Sequence, residues 1–331
     1  MGIWEYQEYL APKVDKPFQL SSNEGDTPTK SSHVLATMLG LERLYMKRED
    51  NNPSGSHKDR MIAFEISAHM QDGVKDIVIS SSGNTAISAM LYCKYLNNLN
   101  LHLFLSVNLP EDKITRIEHA LEANINVPRT EQVITYDNFH LHFSHRPVSG
   151  AFKFAKENNF VLLRGSTDPY AIEGYKTIAF ELIKQIPQVS EIFLPVSSGT
   201  TALGIYEGFK IVNEKMGLNI KIPEIHIVQT SRVNPMAREF DKDFTKSASS
   251  IAKSIVDRVG HRKKEVVDIV RASNGFGWVI SDQELQYAQR LLKFANVSTS
   301  IESAMTIAAI KKALATRRRL KFPVCIFTGT N

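Results

Sequence analysis

The chain has 331 residues, 43% hydrophobic and 23% charged, an ordinary globular composition that can bury a large core and divide into two lobes. Its net charge of +5 suits an anionic small ligand, and without aromatic interleaving or a recognised module it is read as having no nucleic-acid partner. No apolar run approaches the roughly 20 residues of a membrane span, no secretory signal is read at the N-terminus, and Cys93 and Cys325 are too few for a disulfide framework, so a cytoplasmic setting is expected.

A loop-rich N-terminal part leads to a helical pattern over 61–70. Short apolar runs then predict strands over 76–81, 101–107, 160–164, 191–196, 224–230, 277–280 and 323–327. Amphipathic stretches predict helices over 85–96, 112–123, 170–186, 201–215, 282–294 and 303–316, with Ser281 and Glu284 as a capping box. This alternation argues an α/β fold with mostly parallel sheets flanked by helices. Residues 231–273 break the rhythm and read either as a lid or substrate wall or as surface packing. The basic run Arg317, Arg318, Arg319 and Lys321 closes the last predicted helix, where cations complement the dipole.

Three polar loops share one geometry. Asn52-Pro53-Ser54-Gly55-Ser56-His57-Lys58 runs into the first helical pattern and places Lys58 in its first turn, where a positive helix end favours a neutral amine. Without the other loops Lys58 reads as a solvated lysine beside Asp59. Ser80-Ser81-Ser82-Gly83-Asn84-Thr85 joins a strand to a helix and could hold a carboxylate or simply cap the helix. Ser197-Ser198-Gly199-Thr200-Thr201 repeats that arrangement and suits a phosphate. In open α/β sheets the C-terminal strand edge carrying such loops is where ligands bind.

The segment from Lys47 through Asn52-Pro53-Ser54-Gly55-Ser56-His57-Lys58-Asp59-Arg60 resembles the lysine motif of fold-type II pyridoxal-phosphate (PLP) enzymes. Ser22-Asn23-Glu24-Gly25-Asp26-Thr27-Pro28, Ser81–Ala86, Asp168–Thr177, Ser197–Thr201, Glu302-Ser303-Ala304 and Thr328-Gly329 are similar, in order, to segments of the threonine synthase-like family. The resemblance implies a two-lobed fold of the tryptophan synthase β type with PLP between the lobes. A large cofactor-binding domain would comprise 1–60 and 161–331, and a small domain 61–160. Lys58 would hold PLP as a Schiff base and serve as acid and base. Asn84 would bond the ring oxygen, Ser197, Ser198, Gly199, Thr200 and Thr201 would cradle the phosphate, and Thr328 would face the pyridine nitrogen. Ser81, Ser82 and Thr85 would hold the substrate carboxylate.

The implied activity is that of a threonine synthase, turning O-phosphohomoserine and water into threonine and phosphate, in a homodimer. A second phosphate site is then required, with Lys113, Arg116, Lys176 and Arg232 as candidates. The alternatives are a serine or threonine dehydratase, a β-replacement synthase, or a non-catalytic binder of PLP or an amino acid. The chain departs from the family pattern at His57, which stands for phenylalanine, Asp168 for asparagine and Tyr175 for glutamine, and its phosphate loop has one glycine. His140, His142 and His145 lie close together, yet no cysteine or carboxylate stands near them in sequence, so no metal site is expected and packing is the reading. Cys93 and Cys325 are read as unreactive.

Overall fold

A computed structural model describes residues 2–128, 130–316 and 318–330; Arg317, the first of the basic run, lies outside the described residues. The chain forms two compact units, one of residues up to 24 with 58–174, the other of 25–57 with 175 onward.

The second unit opens with β1 (Thr29–Ser31), α1 (His33–Leu39) and β2 (Tyr45–Lys47). The first unit then supplies α2 (Lys58–Gln71), β3 (Asp76–Ile79), α3 (Asn84–Cys93), β4 (Asn100–Ser106) and α4 (Glu111–Leu121). It ends with β5 (Gln132–Tyr136), β6 (Phe139–Ser144), α5 (Pro147–Asn158) and β7 (Val161–Leu162). Helix α6 (Glu173–Gln185) carries the chain on to β8 (Glu191–Pro195), α7 (Thr200–Met216), β9 (Glu224–Thr230), α8 (Lys263–Ala272) and β10 (Phe276–Ile280). The last elements are α9 (Asp282–Phe294), α10 (Ile301–Ala315) and β11 (Pro323–Ile326).

In the first unit the strand order is β5-β6-β4-β3-β7, parallel except for the antiparallel pair β5–β6. Each parallel strand runs the same way, so the loops that follow β3 and β4 emerge at one edge and open α3 and α4 there. Helix α2 enters β3 from the opposite edge, which returns Lys58, its first residue, to the edge where α3 begins. The β5–β6 hairpin turns at Asp137-Asn138, with Asp137 at φ 49, a conformation that Asp tolerates at a tight turn. On the sheet, Val78 and Phe104 pack against Ala151 and Ala155 of α5.

The second unit carries a six-stranded sheet, β1-β2-β11-β8-β9-β10, antiparallel only at β1–β2. Its core joins Trp278, Phe193 and Phe327 to Leu285, Leu292, Met305 and Ile310 of α9 and α10. Each such apolar side chain contributes about 1.5–3 kcal/mol by leaving water. Helix α10 is buried nearly all round, which its run Ala304-Met305-Thr306-Ile307-Ala308-Ala309-Ile310 permits because no charge interrupts it. Lys47 at the end of β2 is fully buried and pairs with Glu181 of α6 at 2.5 Å, while donating to the Thr27 carbonyl at 2.6 Å. The capping box of Ser281 and Glu284 is formed as expected. Arg318 stands beyond the end of α10, over the Phe276 ring at 5.0 Å and beside Glu224 at 3.4 Å.

Candidate active site

Lys58 opens α2 and is half-buried, followed by the fully buried Asp59 and Arg60. Burial lowers its amine from the ordinary 10.5 to about 8, opposed in part by the negative charge of Glu65, two turns along the same helix. The sequence pointed to the helix end as a lever; loss of water lowers the amine as well. The start of α2 is braced within its own unit. A side chain at Gly174 would place its Cβ 1.9 Å from the Arg60 carbonyl oxygen, so only glycine lets the chain at 174 approach that turn. Asp168, the residue standing for asparagine, takes a bond of 2.9 Å with His69 Nε2 near the end of α2. Glu173 accepts the Ala11 N–H at 2.9 Å.

Glu24 is wholly buried in the same unit, where its Oε2 accepts from the Tyr92 hydroxyl at 2.8 Å and the Ser22 N–H at 2.9 Å. Burial raises its carboxyl despite those bonds. Sequence reading placed Glu24 in a motif but gave no sign of Tyr92, whose partner lies 68 residues away.

The loop before α3 holds Ser81, Ser82, Asn84 and Thr85, all half-buried. Gly83 is the N-cap and offers no side chain, so the first N–H groups of α3 are left to other acceptors. Two cations from α4 reach this loop: Lys113 Nζ donates to Ser82 Oγ at 3.0 Å, and Arg116 Nη2 to Asn84 Oδ1 at 2.8 Å. The Arg116 bond occupies the amide oxygen and leaves Asn84 Nδ2 as the donor.

In the second unit the Ser197–Thr201 loop follows β8 and enters the 17-residue helix α7. Gly199 sits at φ 85, and a Cβ there would lie 2.4 Å from Val266 Cγ2. The loop is therefore a bare main-chain cradle at a helix N-terminus, where N–H groups and the dipole favour a phosphate. Ser198 Oγ and Thr200 Oγ1 lie 3.0 Å apart, so hydroxyls line it too. This is the donor set a phosphate monoester requires, and the residues fit the phosphate of PLP. Ser197 Oγ accepts the N–H groups of Val256 and Asp257 at 3.1 and 3.2 Å, which the sequence could not foresee. Part of the segment 231–273 thus lies on this loop, and Asp257 in turn fixes the Val259 and Gly260 N–H groups.

Thr328 follows β11 at the same sheet edge. Its N–H donates to Ser303 Oγ at 2.9 Å, and its carbonyl accepts the His57 N–H at 3.1 Å and His57 Nδ1–H at 2.8 Å. The main chain of Thr328 is thereby held from both sides. The loop of the lysine motif is pinned alongside by Thr330 N–H to the Gly55 carbonyl at 3.0 Å. Asn52 joins the two N-terminal motifs, accepting from Gly25 N–H at 2.8 Å and donating to the Glu49 carbonyl at 2.8 Å. Of the other basic candidates, Lys176 lies on α6 with its carbonyl against Gly208, and Arg232 follows β9.

The histidines group differently from the sequence reading. His140 and His142 share one face of β6 as alternation implied, and the third member is His102 of β4 rather than His145. His102 Nδ1 lies 3.1 Å from His142 Nε2, and its Nε2 lies 3.2 Å from Asp76. Phe104 stacks on His142 at 4.4 Å, and Phe154 packs on both imidazoles. Among the described residues no group of His, Cys, Asp or Glu is arranged to hold a metal ion.

Each unit is a largely parallel sheet flanked by helices, the architecture of an α/β enzyme of fold type II. Residues 20–329 match the family described as pyridoxal-phosphate dependent enzyme, and the chain belongs to that family; its cofactor is PLP. The threonine synthase of Methanocaldococcus jannaschii is 30% identical over 343 aligned positions, covering 99% of this chain and 80% of that protein. Maize serine racemase superposes with a TM-score of 0.72 at 21% identity, covering 99% of this chain and 92% of that one. The processed form of threonine deaminase isoform 2 from Solanum lycopersicum gives 0.72 at 16% identity, covering 99% and 84%. The two structural likenesses establish the shared fold.

Proposed function

We propose that the chain is a threonine synthase, converting O-phosphohomoserine and water to threonine and phosphate. The observation that carries the reading is Lys58, a helix-opening lysine whose amine burial lowers to about 8. About a tenth of such an amine is neutral at pH 7, against well under a hundredth for an ordinary lysine. The likeness to the M. jannaschii threonine synthase over nearly the whole chain supports the choice of reaction. When bound, PLP supplies the electron sink that acidifies the hydrogens of an amino-acid substrate.

With PLP bound, Lys58 Nζ would hold it and would serve as general base and acid toward the hydrogens of the substrate. Asn84 Nδ2 would be the donor offered to the cofactor ring. The N–H groups and hydroxyls of Ser197, Ser198, Gly199, Thr200 and Thr201 take the cofactor phosphate, with the Ser197 hydroxyl also tied to the 256–257 main chain. Thr328 would offer the cofactor ring a neutral hydroxyl, which would keep the sink milder than an acid would. Ser81, Ser82 and Thr85 receive the substrate carboxylate. The same reading carries a homodimer, the habit of the family it resembles, and a cytoplasmic setting, supported by two free, buried cysteines.

The test is to incubate the holoenzyme with O-phosphohomoserine and follow phosphate and threonine together. Equal release of both is expected. Ammonia and a 2-oxo acid from serine or threonine, without phosphate release from O-phosphohomoserine, would assign a dehydratase. No spectral response to any amino acid would reduce the chain to a binder.

A further inference from the structure

Residues 234–246, early in the segment that breaks the strand–helix rhythm, line a cavity of about 370 Å³ in the second unit. Its wall carries Arg238, Lys242 and Lys246 together with the Asn234 amide and the Phe244 ring. Lys242 Nζ donates to the Arg238 carbonyl, which folds that ammonium back onto the Arg238 main chain. Among the described residues none of the three cations pairs with a carboxylate. Glu239, the acidic residue lining the cavity, is taken by Lys263 at 2.6 Å, and Asp241 just beyond it by Lys312 at 2.7 Å. Asn234 is buried, and its Nδ2 donates to the Thr230 carbonyl at 2.8 Å, which leaves Oδ1 as an acceptor. Like charges gathered on a concave wall without a counter-charge repel one another, and an anion seated among them removes that repulsion.

We propose that this cavity is an effector site for a small phosphate ester, whose phosphate meets Arg238, Lys242 and Lys246 and whose organic part lies against the Phe244 ring and the Asn234 amide. The planar Arg238 guanidinium can grip two phosphate oxygens at once, and the two ammonium groups add point charges. A phosphate dianion suits three cations better than a single carboxylate does. No residue assigned to cofactor or substrate lines the cavity. It is nevertheless joined to the Ser197–Thr201 loop. Met236, between Asn234 and Arg238, packs with its Sδ 3.4 Å from the place a Cβ at Gly199 would take. The Met236 and Ala237 N–H groups both donate to Gln229 Oε1 at 2.9 Å. Gln229 Nε2 in turn reaches the Val196 carbonyl at 3.4 Å, one residue ahead of Ser197. A phosphate ester that fixes residues 234–246 thereby fixes one wall of that loop, and by linkage makes PLP harder to lose. The coupling rests on the reading of Ser197–Thr201 as the cradle of the PLP phosphate; the anion site does not.

The test is calorimetric titration of the PLP-loaded enzyme with phenyl phosphate, an aromatic phosphate ester, and with inorganic phosphate. One site per chain is expected, weakened by added salt, with phenyl phosphate the tighter of the two. Arg238→Gln, Lys242→Gln and Lys246→Gln should each weaken both probes by about threefold to fivefold, and the triple variant by about 30-fold or more. Phe244→Leu should reduce the preference for phenyl phosphate and leave inorganic phosphate within about twofold. Lys264→Gln, which removes an exposed cation of α8 paired with Asp268, should change nothing. An unaltered PLP absorbance in every variant separates a lost anion contact from a damaged fold. Phenyl phosphate should also slow the loss of PLP on dilution, by about fivefold in the wild type and not at all in the triple variant. No binding to the wild type, or binding that survives the triple variant, overturns the site. Binding only to enzyme stripped of PLP, with PLP as competitor, places the anion in the Ser197–Thr201 loop and overturns it equally. Binding lost in the triple variant without any effect on PLP release keeps the anion site and removes the coupling to that loop.

Discussion

The His57 ring stacks on the Tyr175 ring, with centroids 5.3 Å apart and planes inclined by 26°. These are two of the positions at which the chain departs from the pattern of the family it resembles, and they touch each other. His57 immediately precedes Lys58, and its Nδ1–H also donates to the Thr328 carbonyl at 2.8 Å. A carbonyl can only accept, so the proton sits on Nδ1. One imidazole thus ties the lysine loop to the C-terminal segment and to α6 within the second unit.

Replacing His57 should separate these contributions. His57→Phe keeps a ring on Tyr175 and loses one hydrogen bond, at a cost of about 1 kcal/mol. His57→Ala loses both and should cost about 2–3 kcal/mol. Urea denaturation of the apoprotein measures the difference, and equal effects would show that the stack contributes nothing.

Gly199→Ala should be costly for two reasons that add. Alanine at φ 85 is strained, and its Cβ would stand 2.4 Å from Val266 Cγ2. A loss of about 2–4 kcal/mol is expected, with weaker PLP binding in any folded fraction. Adding Val266→Ala should relieve the clash and leave the strain, so recovery should be partial. Full stability in Gly199→Ala alone would mean that the cradle is not shaped by this close approach.

The His102–His142 pair gives the fold an acid limit. Burial lowers His142 from its ordinary 6.5 to about 4, helped by the positive charge of His102 and His140, and burial likewise lowers His102. A histidine whose folded value is depressed is protonated first in the unfolded chain, so stability falls as pH drops from 6.5 toward 4. His142→Phe removes the titrating group, and its loss of stability between pH 7 and pH 4.5 should be smaller by about 1 kcal/mol after allowance for partial exposure. Identical pH dependence in the two proteins would contradict this account.

What the sequence could reveal depended on how local each feature is. The lysine loop and the Ser197–Thr201 loop were legible because a small polar turn ahead of a helix is written in consecutive residues. The capping box at Ser281 and the strand 224–230 were legible for the same reason. The three-residue strands β1 and β2 were missed, since neither is long enough to show alternation. The β5–β6 hairpin was missed although alternation at His140 and His142 and the Asp137-Asn138 turn both signal it. Helix α8 was hidden in a segment read as irregular, although Val266, Val267, Ile269 and Val270 give it one apolar face. Contacts such as Ser303 to Thr328, Val256 to Ser197 and Arg116 to Asn84 join residues far apart in sequence, and one sequence carries no record of which will meet.

Lys58 is the residue we propose carries the cofactor. Borohydride reduction of the purified holoenzyme, followed by proteolysis and mass spectrometry, would fix PLP to whichever lysine holds it. The added mass is expected on the peptide containing Lys58 and nowhere in a Lys58→Ala variant loaded with PLP. The adduct on a different lysine, or an unlabelled Lys58 peptide from fully loaded enzyme, would contradict it.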